Sequence, residues 1–180
     1  MARYGIDAGQ ARRVEATALH LFDQVQDDWS LTADDRQMLA RAARVHELGL
    51  AIAHSQYHVH GAYVLEHSDI AGFSQNEQRV VAVLVRTHRR NIPKSAFESI
   101  PDRLLASAKR TAALLRIAVL LHRSHDAEEI PRLDASVAGN TLSLSLDKRW
   151  LEQRPLLRQD LAAEPDFIVG LGVDLRVDPD

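Results

Sequence analysis

The chain has 180 residues, 46% hydrophobic, 26% charged and only 5% aromatic, with a formal net charge of −3. Such a length accommodates one domain, or one with a small appendage, burying roughly 70% of the surface its unfolded form exposes. There is no global basicity to mark a nucleic-acid binder, the lack of cysteine excludes disulfides, zinc-thiolate centres and thiol nucleophiles, and no apolar run reaches the length of a membrane span or signal region.

Asp7 with Gln10 has the capping-box pattern, Asp accepting from the N3 amide and Gln reaching back. A helix is predicted over about 8–26, with Ala11, Val14, Ala18, Leu21, Phe22 and Val25 recurring every three or four residues. Thr32 with Asp35 repeats the pattern before a helix over 33–48, and Gly49 follows as a natural C-cap. His46 and Glu47 then fall in the last turn of that helix. Ser55 is expected to cap a helix over 56–67. Ser74 with Glu77, ahead of the run VVAVLV, starts a helix over 75–89 that Asn91-Ile92-Pro93 stops. A short helix is expected near 94–99. Pro101 opens a helix over 101–123 that is apolar round most of its circumference from 112 to 121, the mark of a central core element.

Past Asp126 the periodicity falls to two. Gly139-Asn140 between alternating runs signals a two-residue hairpin. That turn pairs Val137 with Leu142, Ala135 with Leu144 and Leu133 with Leu146 on one apolar face, and Ser136 with Ser143 and Arg132 with Asp147 on the other. A helix over 148–163, interrupted near Pro155, and a third strand over 167–177 complete a β-β-α-β tail. The expected fold is mainly α, a helical bundle at 1–126 followed by a small α+β domain at 127–180.

Six of the nine histidines lie between 45 and 90: His46, His54, His58, His60, His67 and His88. Three of them, His54, His58 and His60, fall within seven residues without a nearby carboxylate, a weak zinc pattern better suited to lining a cleft. Arg86, His88, Arg89, Arg90 and Lys94 form a basic cluster with no acid among them. Guanidinium forks hold phosphate oxygens through paired charge-assisted bonds, so this cluster is either an anion site or a solvated helix end favoured by the dipole.

Five separated strings carry a family resemblance: RVHELGL at 44–50, HSQYHVHGAY at 54–63, SDIAGF at 68–73, VRTHRR at 85–90 and LRIAVLLHR at 115–123. In order and spacing they resemble the C-terminal region of the exopolyphosphatase and guanosine pentaphosphate phosphohydrolase family. The segments 4–25 and 147–175 are similar as well, so the likeness covers nearly the whole chain. It implies an HD-like helical domain followed by a small α+β domain. It also implies a parent enzyme whose N-terminal half holds the catalytic carboxylates, the phosphate loops and Mg2+. No glycine-rich phosphate loop occurs here, since the eight glycines are scattered.

His46-Glu47 stands where HD enzymes place a His-Asp metal pair, with His20 in the position of an earlier ligand. Glu replaces Asp, and the helix over 101–123 has no acid beyond Asp102. The pair is therefore expected to be degenerate, with no metal and no catalytic residue in this stretch. The resemblance implies that Arg86, His88, Arg89, Arg90, His58 and His60 contact inorganic polyphosphate or guanosine pentaphosphate. It also implies contact with the N-terminal catalytic domains, a homodimer and a cytoplasmic location. The alternatives are a free-standing HD-type metal phosphohydrolase and a purely structural dimerisation module.

Overall fold

The computed structural model describes residues 7–126 and 129–179. Residues 4–6, which open the family-like N-terminal segment, lie outside them. The helical body comprises α1 (Ala8–Val25), α2 (Ala33–Val45), α3 (Tyr57–His67), α4 (Gln75–Thr87) and α5 (Asp102–Leu121), with single 3-10 turns at Leu48–Ala51 and Lys94–Phe97. The tail comprises β1 (Leu133–Ala138), β2 (Thr141–Leu146), the short α6 (Lys148–Glu152), α7 (Pro155–Ile168), a 3-10 turn (Val169–Leu171) and β3 (Asp174–Pro179). The architecture is mainly α with a small β tail, as the sequence implies. No helix among the described residues is long and apolar enough to cross a membrane.

Local chemistry sets the helix starts. Capping boxes form at both Thr32/Asp35 and Ser74/Glu77, each N-cap hydroxyl accepting from the N3 amide while the N3 carboxylate returns to the N-cap amide. At α1 only half of the expected box appears. Asp7 accepts from Gly9 and Gln10, but Gln10 is buried and donates to the His122 carbonyl at 2.6 Å, joining α1 to the end of α5. A long-range bond to a carbonyl just past the end of α5 wins over the local one.

Two boundaries differ from the sequence reading for packing reasons. α2 stops at Val45, and Gly49 belongs to the following 3-10 turn rather than to a helix C-cap. That turn lies against α3, so closely that a Cβ on Gly49 would sit 1.9 Å from the Tyr57 carbonyl oxygen. In the tail, α7 runs on to Ile168, through the stretch read as the start of a strand. Leu161, Glu164 and Ile168 are all buried at helical spacing, and Gly172 at φ +73° ends the turn that follows.

The hairpin register is the expected one: Leu133 faces Leu146, Ala135 faces Leu144, Ser136 faces Ser143 and Val137 faces Leu142. β3 adds in parallel on the other side of β2, giving the order β1-β2-β3. Asp147 caps α6 by accepting from the Trp150 amide at 2.7 Å, and Arg132 binds Asp134 at 2.6 Å. The outer edge of β1 is covered by α1. Gln24 accepts from the Ala135 amide at 2.8 Å and donates to the Leu133 carbonyl at 3.3 Å, and His20 Nε2 donates to the same carbonyl at 2.9 Å. Trp29, 1% exposed, donates to the Gly139 carbonyl at 3.1 Å. One apolar cluster runs from Val14 and Phe22 through Leu84 and Leu115 to Leu144, Ile168 and Leu175, so body and tail share a core.

Candidate functional site

The ends of α3 and α4 meet at a groove of about 460 Å3 lined by His54, Ser55, Gln56, His58, Arg86, Arg89, Arg90, Asn91 and Phe167. Three guanidiniums face this space and no carboxylate lines it. α3 starts without a side-chain cap, because Gln56 rather than Ser55 is the N-cap residue and stands at φ +52°. Free N–H groups at the positive end of a helix add to the cationic wall. Arg89 stacks on the Tyr57 ring, its Cζ 4.6 Å from the centroid. Burial pushes the Tyr57 hydroxyl pKa up, which keeps that side chain neutral.

The groove's backbone is held by a buried charge on α5. Arg116 is 2% exposed and reaches neither solvent nor groove. Its Nη1 donates to the Thr87 carbonyl at 2.6 Å and to the Arg90 carbonyl at 3.0 Å, while its Nε pairs with Glu164 Oε1 at 2.6 Å. One guanidinium therefore caps α4, holds Arg90 at φ +61° and ties both to α7 of the tail. Arg123 is a different case, pairing with Asp160 at 2.6 Å near the surface. A lone arginine inside the apolar run 112–121 is the one sequence signal that marks Arg116, since a buried charge needs partners.

Behind the groove lies a set of buried rings. His46 and His88 meet edge to face at 5.5 Å, and His58 lies 6.2 Å from His88. The Nδ1–H of His46 donates to the Ala43 carbonyl and that of His88 to the Val85 carbonyl, at 2.7 and 2.6 Å. Those bonds fix the neutral tautomers and leave each Nε2 a bare lone pair, buried without a hydrogen-bond partner among the described residues. Burial drives both rings' pKa values down, that of His88 furthest.

The candidate residues thus separate. His58, Arg86, Arg89 and Arg90 share the groove, whereas His88 is 2% exposed and is not part of its lining. His60, half-buried on α3, and Lys94, exposed on the 3-10 turn, also lie outside it. Glu47, 5% exposed, has an oxygen 3.9 Å from His46 Nε2 and 3.1 Å from His125 Nε2. His20 is engaged with Leu133 on another face. Among the described residues, no group of three or more His, Asp or Glu side chains is placed to hold a metal ion.

Known proteins resemble this chain in sequence. Residues 1–165 match the family model described as Ppx/GppA phosphatase, domain III. The chain belongs to the Ppx/GppA phosphatase family. It is 33% identical over 176 residues, 97% of its length, to the "Guanosine-5'-triphosphate,3'-diphosphate pyrophosphatase" of Pseudoalteromonas translucida (strain TAC 125). The match occupies 35% of that relative, so the chain spans about a third of the length of the curated protein it resembles.

The buried rings give this Ppx/GppA domain III a definite response to acid. Burial, and next to it Arg13, pushes His122 down to about 4, while burial and four arginines do the same to His58. A histidine that binds its proton more weakly folded than unfolded lets the unfolded chain protonate first as pH falls. Stability is therefore complete above the ordinary histidine value of 6.5 and is lost progressively toward pH 4. Urea midpoints measured across that range should fall steadily; a midpoint flat to pH 4 contradicts the assignment.

Proposed function

We propose that this domain holds the phosphate chain of inorganic polyphosphate or guanosine pentaphosphate for a longer, cytoplasmic phosphohydrolase. In this reading the hydrolytic centre belongs to an N-terminal half, where Mg2+ assists attack of water on the terminal phosphoryl group. The domain positions substrate and supports a homodimer. The carrying observation is the groove where Arg86, Arg89 and Arg90 converge with no carboxylate in the lining. Serial cationic contacts suit a ligand with one charge per unit better than a closed pocket does, by the counterion-release logic that governs nucleic-acid backbones. The relative's name, a pyrophosphatase of a guanosine nucleotide bearing a triphosphate and a diphosphate, agrees with a phosphoanhydride ligand.

The test is binding of polyphosphate as a function of salt. Arg89→Ala combined with Arg90→Ala is expected to weaken binding and to flatten the slope of log K against log salt by about 1.4, roughly 0.7 per lost contact on a flexible chain. Unchanged affinity and slope would sink the groove as the anion site. Both side chains stand at the groove surface, and the Arg90 contact to Arg116 is made by its backbone carbonyl, so the folded core is expected to survive the change.

A further inference from the structure

Among the residues lining the groove only His58 is buried, at 5% exposure. Its Nδ1 has no hydrogen-bond partner among the described residues. A buried imidazole nitrogen without a partner is uncommon, because desolvation is then uncompensated. Here the unpartnered nitrogen belongs to the ring that forms the floor of a cationic cavity at the uncapped start of α3. The four observations converge on an acceptor-rich ligand, since every full charge in the lining is positive and no carboxylate stands among the neutral Ser55, Gln56 and Asn91.

The charges around His58 come from each element packed against it. Arg86 is on α4, with His88, Arg89 and Arg90 just past its end. Arg116 of α5 lies below, already paired with Glu164 of α7, and Tyr57 and His54 flank the ring along its own segment. Burial first, and then Arg86, Arg89, Arg90 and Arg116, push the His58 pKa down to about 4, so the ring is neutral in an empty groove near neutral pH. A polyanion entering the groove offsets the arginine field and brings oxygen acceptors to the ring. Both changes favour the imidazolium.

Resting on the phosphate reading of the groove, we propose that His58 is its proton-coupled member: a phosphoanhydride anion binds together with one proton from solvent, taken up on the His58 ring. No covalent bond changes. The neutral ring gains N–H+ and becomes a fourth cationic donor beside Arg86, Arg89 and Arg90. The sign follows from linkage. The ring's pKa rises on binding, so affinity climbs as pH falls below the bound-state value, by about tenfold per pH unit, and is flat above it. The groove then binds phosphoanhydrides more tightly in mildly acidic conditions without any movement of the backbone.

The experiment is titration calorimetry of the 180-residue chain with trimetaphosphate, a cyclic polyanion whose own protons are all lost far below neutral pH. Repeating it near pH 6 in buffers of different ionisation enthalpy counts the protons taken up. The expected result is uptake approaching one proton for the native chain and close to none for His58→Gln, whose affinity no longer varies with pH. A second measurement needs no variant: the His58 ring resonances of the native chain should shift from neutral imidazole to imidazolium on saturation. Suppose trimetaphosphate binds and Arg89→Ala with Arg90→Ala weakens it. If no proton is then taken up, or the proton goes to another ring, the coupling is overturned and the groove reading stands. If trimetaphosphate does not bind, or binds regardless of those arginines, the groove reading falls and takes the coupling with it.

Discussion

Replacing Arg116 by methionine is expected to lower the free energy of unfolding by roughly 3–5 kcal/mol. The substitution keeps an unbranched apolar stem but strands Glu164, 5% exposed, without its partner at 2.6 Å. It also removes the donor that serves the Thr87 and Arg90 carbonyls. An unpaired buried carboxylate carries most of this loss, which the combination Arg116→Met with Glu164→Leu tests directly. Exchanging a whole buried ion pair for apolar groups of similar volume is often neutral. The double variant should therefore regain much of the stability while the 87–90 segment stays without its guanidinium anchor. Urea denaturation reads the first effect and polyphosphate affinity the second. A single variant as stable as the native chain, or a double variant whose groove binds as before, would show that Arg116 does not hold this segment in place.

The second large effect is expected at Gly49. A methyl group there would stand 1.9 Å from the Tyr57 oxygen, 2.6 Å from the Gly61 nitrogen and 2.8 Å from the Tyr57 carbonyl carbon. All three are backbone atoms, so no side-chain rotation relieves the overlap and α3 must move away from the Leu48–Ala51 turn. Overpacking a tight contact ordinarily costs 1–3 kcal/mol, and rigid backbone on both sides places Gly49→Ala at about 3 kcal/mol or above. Because α3 carries Tyr57 and His58, the shift should also loosen the Arg89 stack and weaken anion binding beyond what lost stability explains. Urea melting with an unchanged m-value and a lowered midpoint is the expected signature. A native-like midpoint would mean that the contact between turn and helix yields easily.

Which parts of this architecture can be read from sequence depends on the range of the forces involved. The hairpin is legible down to its register, because Gly139-Asn140 and the alternation of Leu142, Leu144 and Leu146 admit only one pairing that buries them together. The boxes at Thr32 and Ser74 are legible for the same reason, each being complete within four residues. Gln10 defeats the local rule because its partner, the His122 carbonyl, lies 112 residues away. The strand expected from 167 begins late because burial of Glu164 and Ile168 against the body overrides a run of β-branched residues.

At the site, composition points to a basic cluster but not to the direction of each side chain. The string 85–90 straddles the end of α4 at Thr87, and the chain bends through 88–90, so His88 turns inward while Arg86 and Arg89 keep to the groove. Arg116 and Glu164 are 48 residues apart, and nothing short of the fold brings them to 2.6 Å.

The cover that α1 lays over β1 has a consequence for assembly. Gln24 offers its side-chain amide as a stand-in for a neighbouring peptide group, donating to Leu133 and accepting from Ala135 as an added strand would. That edge is closed to strand addition by another chain. The opposite edge belongs to β3, where Asp174, Arg176 and Asp178 alternate with Leu175 and Val177 and the strand ends at Pro179. Outward charges of both signs and a residue without an N–H make that edge a poor template for pairing. The small sheet is thus guarded against aggregation at both sides, and two copies of this chain that associate must meet through surfaces other than a shared ladder of strands.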